Sequence, residues 1–260
     1  WTPLGGFLYA IAIALPFFLS GIGFAIAALI VSIFPFQTSL KPAPKSPDAP
    51  PPHFFNEIKF GIKYMYEEKR IFHLVVITTL LGFFFSLSNA IAPLFIIDEL
   101  GVEPRYLGIL LAIQGLGALA GSVLAPRISR TMGRGRALAI NLLIASLPIF
   151  ILGFVPNVWF FLPLAVIIGA TISVWNILLM SVYQSIIPRE LYGRIHGARR
   201  TIVWGLMPIG SVIGGFIARG GLRLPYIVGG LISLVVVAFS FRRIVQIGEE
   251  SVAISKENNK

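Results

Sequence analysis

Residues 137–188 read ALAINLLIASLPIFILGFVPNVWFFLPLAVIIGATISVWNILLMSVYQSIIP and contain no Asp, Glu, Lys or Arg. A helix that crosses a bilayer needs about 20 predominantly apolar residues, so this run is too long for one span. Gly153-Phe154-Val155-Pro156-Asn157, near its middle, is a turn signal, because Gly and Pro punctuate helical pairing. The run therefore divides into two spans, about Ala137–Phe154 and Val158–Ile187.

The same reading extends in both directions. Upstream lie candidate spans at about Gly5–Phe34, Ile71–Ile97 and Tyr106–Ala125, and downstream at about Thr201–Ala218 and Leu224–Phe241. The predicted fold is all-α, a polytopic transmembrane helical bundle of about seven spans. Composition agrees: hydrophobic residues make up 56% of the chain and charged residues 12%, about half the charge of an ordinary soluble domain. Mean hydropathy is +0.86. With no Cys, disulfide and thiol chemistry are excluded. The uncharged start has no basic n-region and does not read as a signal peptide. It opens on Trp1 rather than Met, and the chain is read as a piece of a longer product.

Between the first two spans, residues 35–52 are Pro-rich and read as an extended linker. Phe54–Arg70 mixes aromatic and aliphatic residues with charges. It fits either an amphipathic helix at the membrane interface or an extension of the helix that follows. The domains expected are thus a first transmembrane helix (1–34), a linker with its amphipathic helix (35–70), a six-helix bundle (71–241) and a tail (242–260).

A net charge of +10 does not point to nucleic acid, because the basic residues sit in short loops between apolar runs. All Lys and Arg except Arg105, Arg219 and Arg223 fall on one side of the expected membrane. The positive-inside rule makes that side cytoplasmic. The expected location is the plasma membrane, with a cytoplasmic C-terminus.

Polar residues inside spans are the candidate functional groups, since hydrocarbon penalises them unless they face protein or water. Thr79, Gly82, Ser86, Asn89 and Pro93 share one helical face, and so do Gly169, Ser173, Asn176, Met180, Tyr183 and Gln184. Gln114 shares a stripe with Gly117 and Gly121. These faces either line a cavity or hold helices together by hydrogen bonds. Gly117-x-x-x-Gly121 and Gly210-x-x-x-Gly214 are small-residue packing motifs. No Asp, Glu, Lys or Arg falls within the spans as drawn, so a proton-coupling group is expected elsewhere. His53, His73 and His196 form no metal-ligand cluster, and no metal or cofactor is expected.

Two loops carry a family resemblance. Pro126-Arg127 followed by Gly133-Arg134-Gly135-Arg136 resembles the repeated cytoplasmic loop motif of the major facilitator superfamily, with Pro126 where that motif prefers Asp. Pro188-Arg189-Glu190-Leu191-Tyr192-Gly193-Arg194 resembles the Pro-x-Glu-x-x-Gly-Arg loop that enters the eleventh helix in its prokaryotic drug, macrolide and siderophore exporters. The resemblance covers nearly the whole chain and implies helices six through twelve, half of such a fold plus one helix. It implies that the helices carrying Asn89 and Asn176 line the central cavity. On this mapping Arg127, Gly133, Arg134, Arg136, Glu190, Gly193 and Arg194 form a cytoplasmic gate, with Glu190 the local partner of the arginines.

The function implied is a secondary transporter exporting amphipathic small molecules, partnered by the lipid bilayer and by an N-terminal half on the same or another chain. A non-transporting membrane partner is the alternative. A lipid-modifying enzyme is disfavoured, because the acids Asp98, Glu99 and Glu103 lie in a turn-like loop.

Overall fold

A computed structural model describes residues 15–33, 54–188 and 191–257. Eight helices longer than a single turn are named here: α1 Leu15–Ile33, α2 Phe54–Glu67, α3 Lys69–Asn89, α4 Leu107–Met132, α5 Arg134–Leu152, α6 Val158–Ile186, α7 Tyr192–Ala218 and α8 Leu224–Glu257. No strand occurs among the described residues. Among the described residues six helices are long and apolar enough to cross a membrane, against the seven spans expected of the whole chain. Only the α1 part of the first expected span is described, and its described side chains are exposed. The Pro-rich linker lies outside the described residues.

Several helices run past the hydropathy boundaries at the basic end. The 126–136 segment, expected as a loop, is helix on both sides of a single residue, Gly133 (φ 81°). That positive φ is a conformation glycine adopts without a Cβ clash. Helix α7 begins at Tyr192 rather than Thr201. The expected tail is helix through Glu257, with Ile244, Ile247 and Ser251 buried. At 1.5 Å per residue the 34-residue α8 is about 51 Å long, well beyond a hydrocarbon core of about 30 Å. Arginines that read as loop residues therefore lie on helices that run out of the apolar layer.

Two breaks have local causes. Glu68 separates α2 from α3 and accepts hydrogen bonds from Arg70 Nε (2.7 Å) and Nη2 (2.9 Å). Helix α2 is thus distinct from α3, and it docks on α7: a Cβ at Gly61 would stand 2.8 Å from Ala198 Cβ. Helix α3 stops at Asn89, and the chain resumes as a turn of helix, Ala92–Leu94, and a π-turn, Phe95–Glu99. Pro93 accounts for that break, because it has no N–H to donate and its ring crowds the carbonyl four residues back.

Packing follows an internal repeat. Helix α4 crosses α6, with Gly117 against the Val166 carbonyl and Gly121 against that of Ala170. Helix α7 crosses α3, with Gly210 against Ser86 and the Phe83 carbonyl and Gly214 against the Leu87 carbonyl. Numbers rise together in both pairs, so each pair is parallel. Helices α5 and α8 pack antiparallel, Gly135 near Val245 and Gly230 near Phe150. The first helix of each three-helix unit thus packs on the second helix of the other, and the third helices pack on one another. This is the contact pattern of an inverted-topology repeat. Between apolar helices in lipid, association depends on van der Waals fit rather than on hydrophobic burial, and the glycines permit that fit.

Candidate functional site

A cavity of about 180 Å³ opens between the end of α3, α4, α5, α6 and α8. Asn89, Gln114 and Ser88 are polar residues in its wall, which is otherwise apolar apart from Tyr226. Asn89, the last residue of α3, lines the cavity. Tyr226 is buried and its ring lies 4.6 Å from that of Phe95. Arg223 closes this end of the bundle, donating to Glu99 Oε2 and to the Val155 carbonyl, each at 2.9 Å. One arginine thereby ties together three connections between helices.

A second cavity, about 260 Å³, lies at the opposite, basic end, between α3, α6 and α7. Asn176, Met180 and Tyr183 of α6 line it together with His196, Arg199, Arg200 and Trp204 of α7. Arg199 stacks 4.7 Å over the Tyr183 ring, and its Nη2 sits 3.4 Å from His196 Nδ1. Arg200 stacks 4.2 Å over Trp204. Tyr192 donates to Met180 Sδ at 2.6 Å. Two buried polar atoms here, Tyr183 Oη and Arg199 Nε, have no hydrogen-bond partner.

The remaining cavity candidates are dispersed. The one hydroxyl hydrogen of Ser86 is shared between the Phe83 and Met207 carbonyls, both at 2.8 Å, and so links α3 to α7. Thr79 faces a third, apolar cavity between α2 and α3, its buried Oγ1 unpaired. Ser173 is half-buried and Gln184 exposed, and neither lines the far-end or the basic-end cavity. Asn176 spends one amide hydrogen on its own helix, donating to the Ile172 carbonyl at 2.9 Å.

At the basic end Arg134 donates to Ser185 Oγ at 2.9 Å, joining α5 to α6. Arg136 lies 3.9 Å from Glu249, and Arg70 lies 3.8 Å from Glu250. The acids facing these arginines come from the far part of α8. Glu190 lies outside the described residues. Arg127 is exposed, Arg194 passes 5.9 Å over the Phe60 ring, and Gly193 stands in open space in the first turn of α7. Arg70 holds the Glu68 carboxyl below the usual glutamate range by its hydrogen bonds.

Sequence reading passed over His196, Arg199, Arg200, Trp204, Glu249 and Glu250. His196, Arg199 and Arg200 read as loop residues and Trp204 as part of the span Thr201–Ala218, which hides their shared helix: 196, 200 and 204 follow one another at four-residue steps on one face. The spans as drawn held no charge, whereas α7 carries Arg199 and Arg200 to a cavity wall.

A family profile described as transmembrane secretion effector matches residues 3–259. Macrolide efflux protein A of Streptococcus pyogenes is 24% identical over 182 residues, covering 69% of this chain and 45% of that protein. An uncharacterised MFS-type transporter of Bacillus subtilis, YkuC, is 31% identical over 150 residues, covering 55% of this chain and 34% of the relative. Macrolide efflux protein A of Enterococcus faecalis is 24% identical over 161 residues, covering 61% and 50%. The matches span half or less of the length of these curated relatives.

Proposed function

The chain belongs to the transmembrane secretion effector family of the major facilitator superfamily, and we propose on that premise that it is the C-terminal half of a secondary transporter exporting amphipathic small molecules. The observation that carries the reading is the inverted repeat, two three-helix units of opposite direction with a cavity beside each crossing. Such repeats underlie alternating access, in which one bundle rocks against another around a site between them. The second bundle here is an N-terminal half, on the same chain or another.

The basic end is cytoplasmic in this reading, and α8 ends inside the cell, at the plasma membrane. The far-end cavity, apolar with Asn89 and Gln114 in its wall, suits a molecule with a large apolar body and one or two hydrogen-bonding groups. Arg134, Arg136 and Arg194 stabilise the basic end when it is closed, and rocking breaks or shifts their contacts.

The test is efflux of a fluorescent amphipathic dye from cells expressing the chain alone and then with an upstream half supplied. Efflux is expected only with both halves, and Asn89→Leu or Asn176→Leu is expected to reduce it severalfold at unchanged protein level. Dye retention equal to that of empty cells across a panel of neutral and cationic amphiphiles would overturn the exporter reading. The membrane-partner reading would then take its place.

A further inference from the structure

The basic-end cavity has a chemistry that the export reading does not require. Arg199, Arg200 and His196 bring cationic or titratable groups to one wall, and no Asp or Glu among the described residues lines it. Stacking on Tyr183 and Trp204 occupies a face of each guanidinium and leaves the in-plane N–H groups as donors. Arg199 Nε is buried without a partner, and the hydroxyl of Tyr183, which is 0% exposed, faces Thr78 and Arg199 without a well-formed hydrogen bond to either. Buried polar and charged groups are ordinarily paired, because leaving them unpaired costs the full desolvation of the group. The unpaired Arg199 Nε, with Arg200 beside it on the wall, leaves donors for an anion that no carboxylate among the described residues supplies.

We propose that this cavity binds an oxyanion, a phosphate or carboxylate, carried on an otherwise apolar molecule. Arg199 and Arg200 donate to the oxyanion and the Tyr183 hydroxyl adds a third donor. Leu179, Met180 and Val203 supply an apolar wall for the rest of the ligand, and Trp204, 59% exposed, borders its way in. Inorganic phosphate offers the charge without the apolar part and binds more weakly. The amphipathic anion comes either from a lipid of the surrounding leaflet or from a dissolved molecule.

The experiment uses the purified protein, with an upstream half where one is needed for a folded product, in nanodiscs of phosphatidylcholine. Dihexanoyl phosphatidic acid is titrated while tryptophan fluorescence is followed, since Trp175 and Trp204 both line the cavity. Dihexanoyl phosphatidylcholine, with the same tails and a zwitterionic head, is the comparison. Saturable quenching or enhancement is expected with the phosphatidic acid alone. Arg199→Gln is expected to weaken it roughly tenfold or more, and Arg200→Gln, on the exposed side of the wall, severalfold. Arg130→Gln on α4 is expected to leave it unchanged. Melting curves of each variant separate lost binding from lost fold, and Arg200→Gln carries the test if Arg199→Gln does not fold. Repeating the titration in nanodiscs containing phosphatidylglycerol separates the sources. Loss of the response assigns the site to a lipid headgroup, and its persistence assigns it to a dissolved amphiphile. Equal binding of the choline ester, or unaltered affinity in both arginine variants, overturns the proposal. Binding is read without turnover, so a protein that binds and does not export separates this inference from the export reading.

Discussion

The two polar-walled cavities occupy equivalent places in the repeat. At the far end Ala92, Pro93 and Ile96 face Leu107, Leu110 and Leu111 across the gap between the α3 extension and α4. At the basic end Trp175, Asn176 and Leu179 of α6 face Arg200, Val203 and Trp204 of α7. Leu110 precedes Gly117 at the spacing by which Val203 precedes Gly210, so the crossings set both walls in the same register. The chemistry nevertheless differs. At the far end Arg223 is spent on Glu99 and a carbonyl outside the cavity. At the basic end Glu249 and Glu250 face Arg136 and Arg70, leaving Arg199 and Arg200 on the cavity. Backbone packing is what the repeat reproduces. Side-chain chemistry is free to diverge at each end.

The comparison can be broken most severely at the glycines. Gly121→Leu drives a side chain into the Ala170 carbonyl, and Gly214→Leu into that of Leu87. Each is expected to cost more than about 3 kcal/mol, since backbone cannot move aside as a side chain can. Thermal melts in detergent should show matching losses if the crossings are energetically equivalent. A loss at one and not the other would leave only a geometric repeat. Gly115→Leu, with nothing within 4 Å of its Cβ position, serves as the control at within about 0.5 kcal/mol.

Arg223→Ala tests the far end alone. It removes hydrogen bonds to Glu99 and Val155 from a site about one-third exposed, which should cost about 1–2 kcal/mol after solvent screening. Hydrogen exchange should rise at 95–102 and 153–157 and stay constant at 192–204. A rise spread evenly over both ends would mean that the two cavities are mechanically one.

The smallest effect is expected from acid. Glu68, at the basic end, has its carboxyl held below the usual glutamate value by the Arg70 hydrogen bonds. A carboxylate lowered by folding contributes stability that is full above its unfolded value of about 4.5 and is lost as pH falls through the folded one. Exchange at 68–72 should therefore quicken below about pH 4.5. Unchanged exchange down to pH 3 would show that α2 and α3 are held apart by packing on α7 rather than by this pair.

How much of this was legible beforehand depends on which physical signal each feature leaves. The cores of α3 to α8 were legible because hydrocarbon admits only long apolar helices, and the Pro156-Asn157 turn because Asn157 accepts from the N–H groups of Trp159 and Phe160 at the start of α6. The far-end boundaries at Val158, Ala218 and Leu224 were legible too, whereas several at the basic end were not. Hydropathy stops at the edge of the apolar layer, whereas backbone hydrogen bonding continues through Arg127, Arg194 and Glu249. In the candidate site, Asn89 and Gln114 stood out as amides in apolar runs. Ser86 stood out equally, yet it bonds to Met207, because one hydroxyl serves a cavity or a helix contact with the same local sequence. Arg199 and Arg200 were counted as topology signals, and nothing short of the helical phase set from Tyr192 would have put them on a cavity wall.

Ser86 also bears on how such a chain is made. Its partner carbonyl, Met207, is 121 residues downstream. At synthesis rates of about 5–20 residues per second, roughly 6–24 s pass before that partner leaves the ribosome. Throughout that interval α3 sits in lipid with a hydroxyl whose final acceptor does not yet exist. Its other acceptor, the Phe83 carbonyl one turn back in the same helix, needs no later residue. The newborn helix thus carries its own provisional acceptor, and the docking of α7 offers the same hydroxyl hydrogen a second one without first having to rescue an unpaired group.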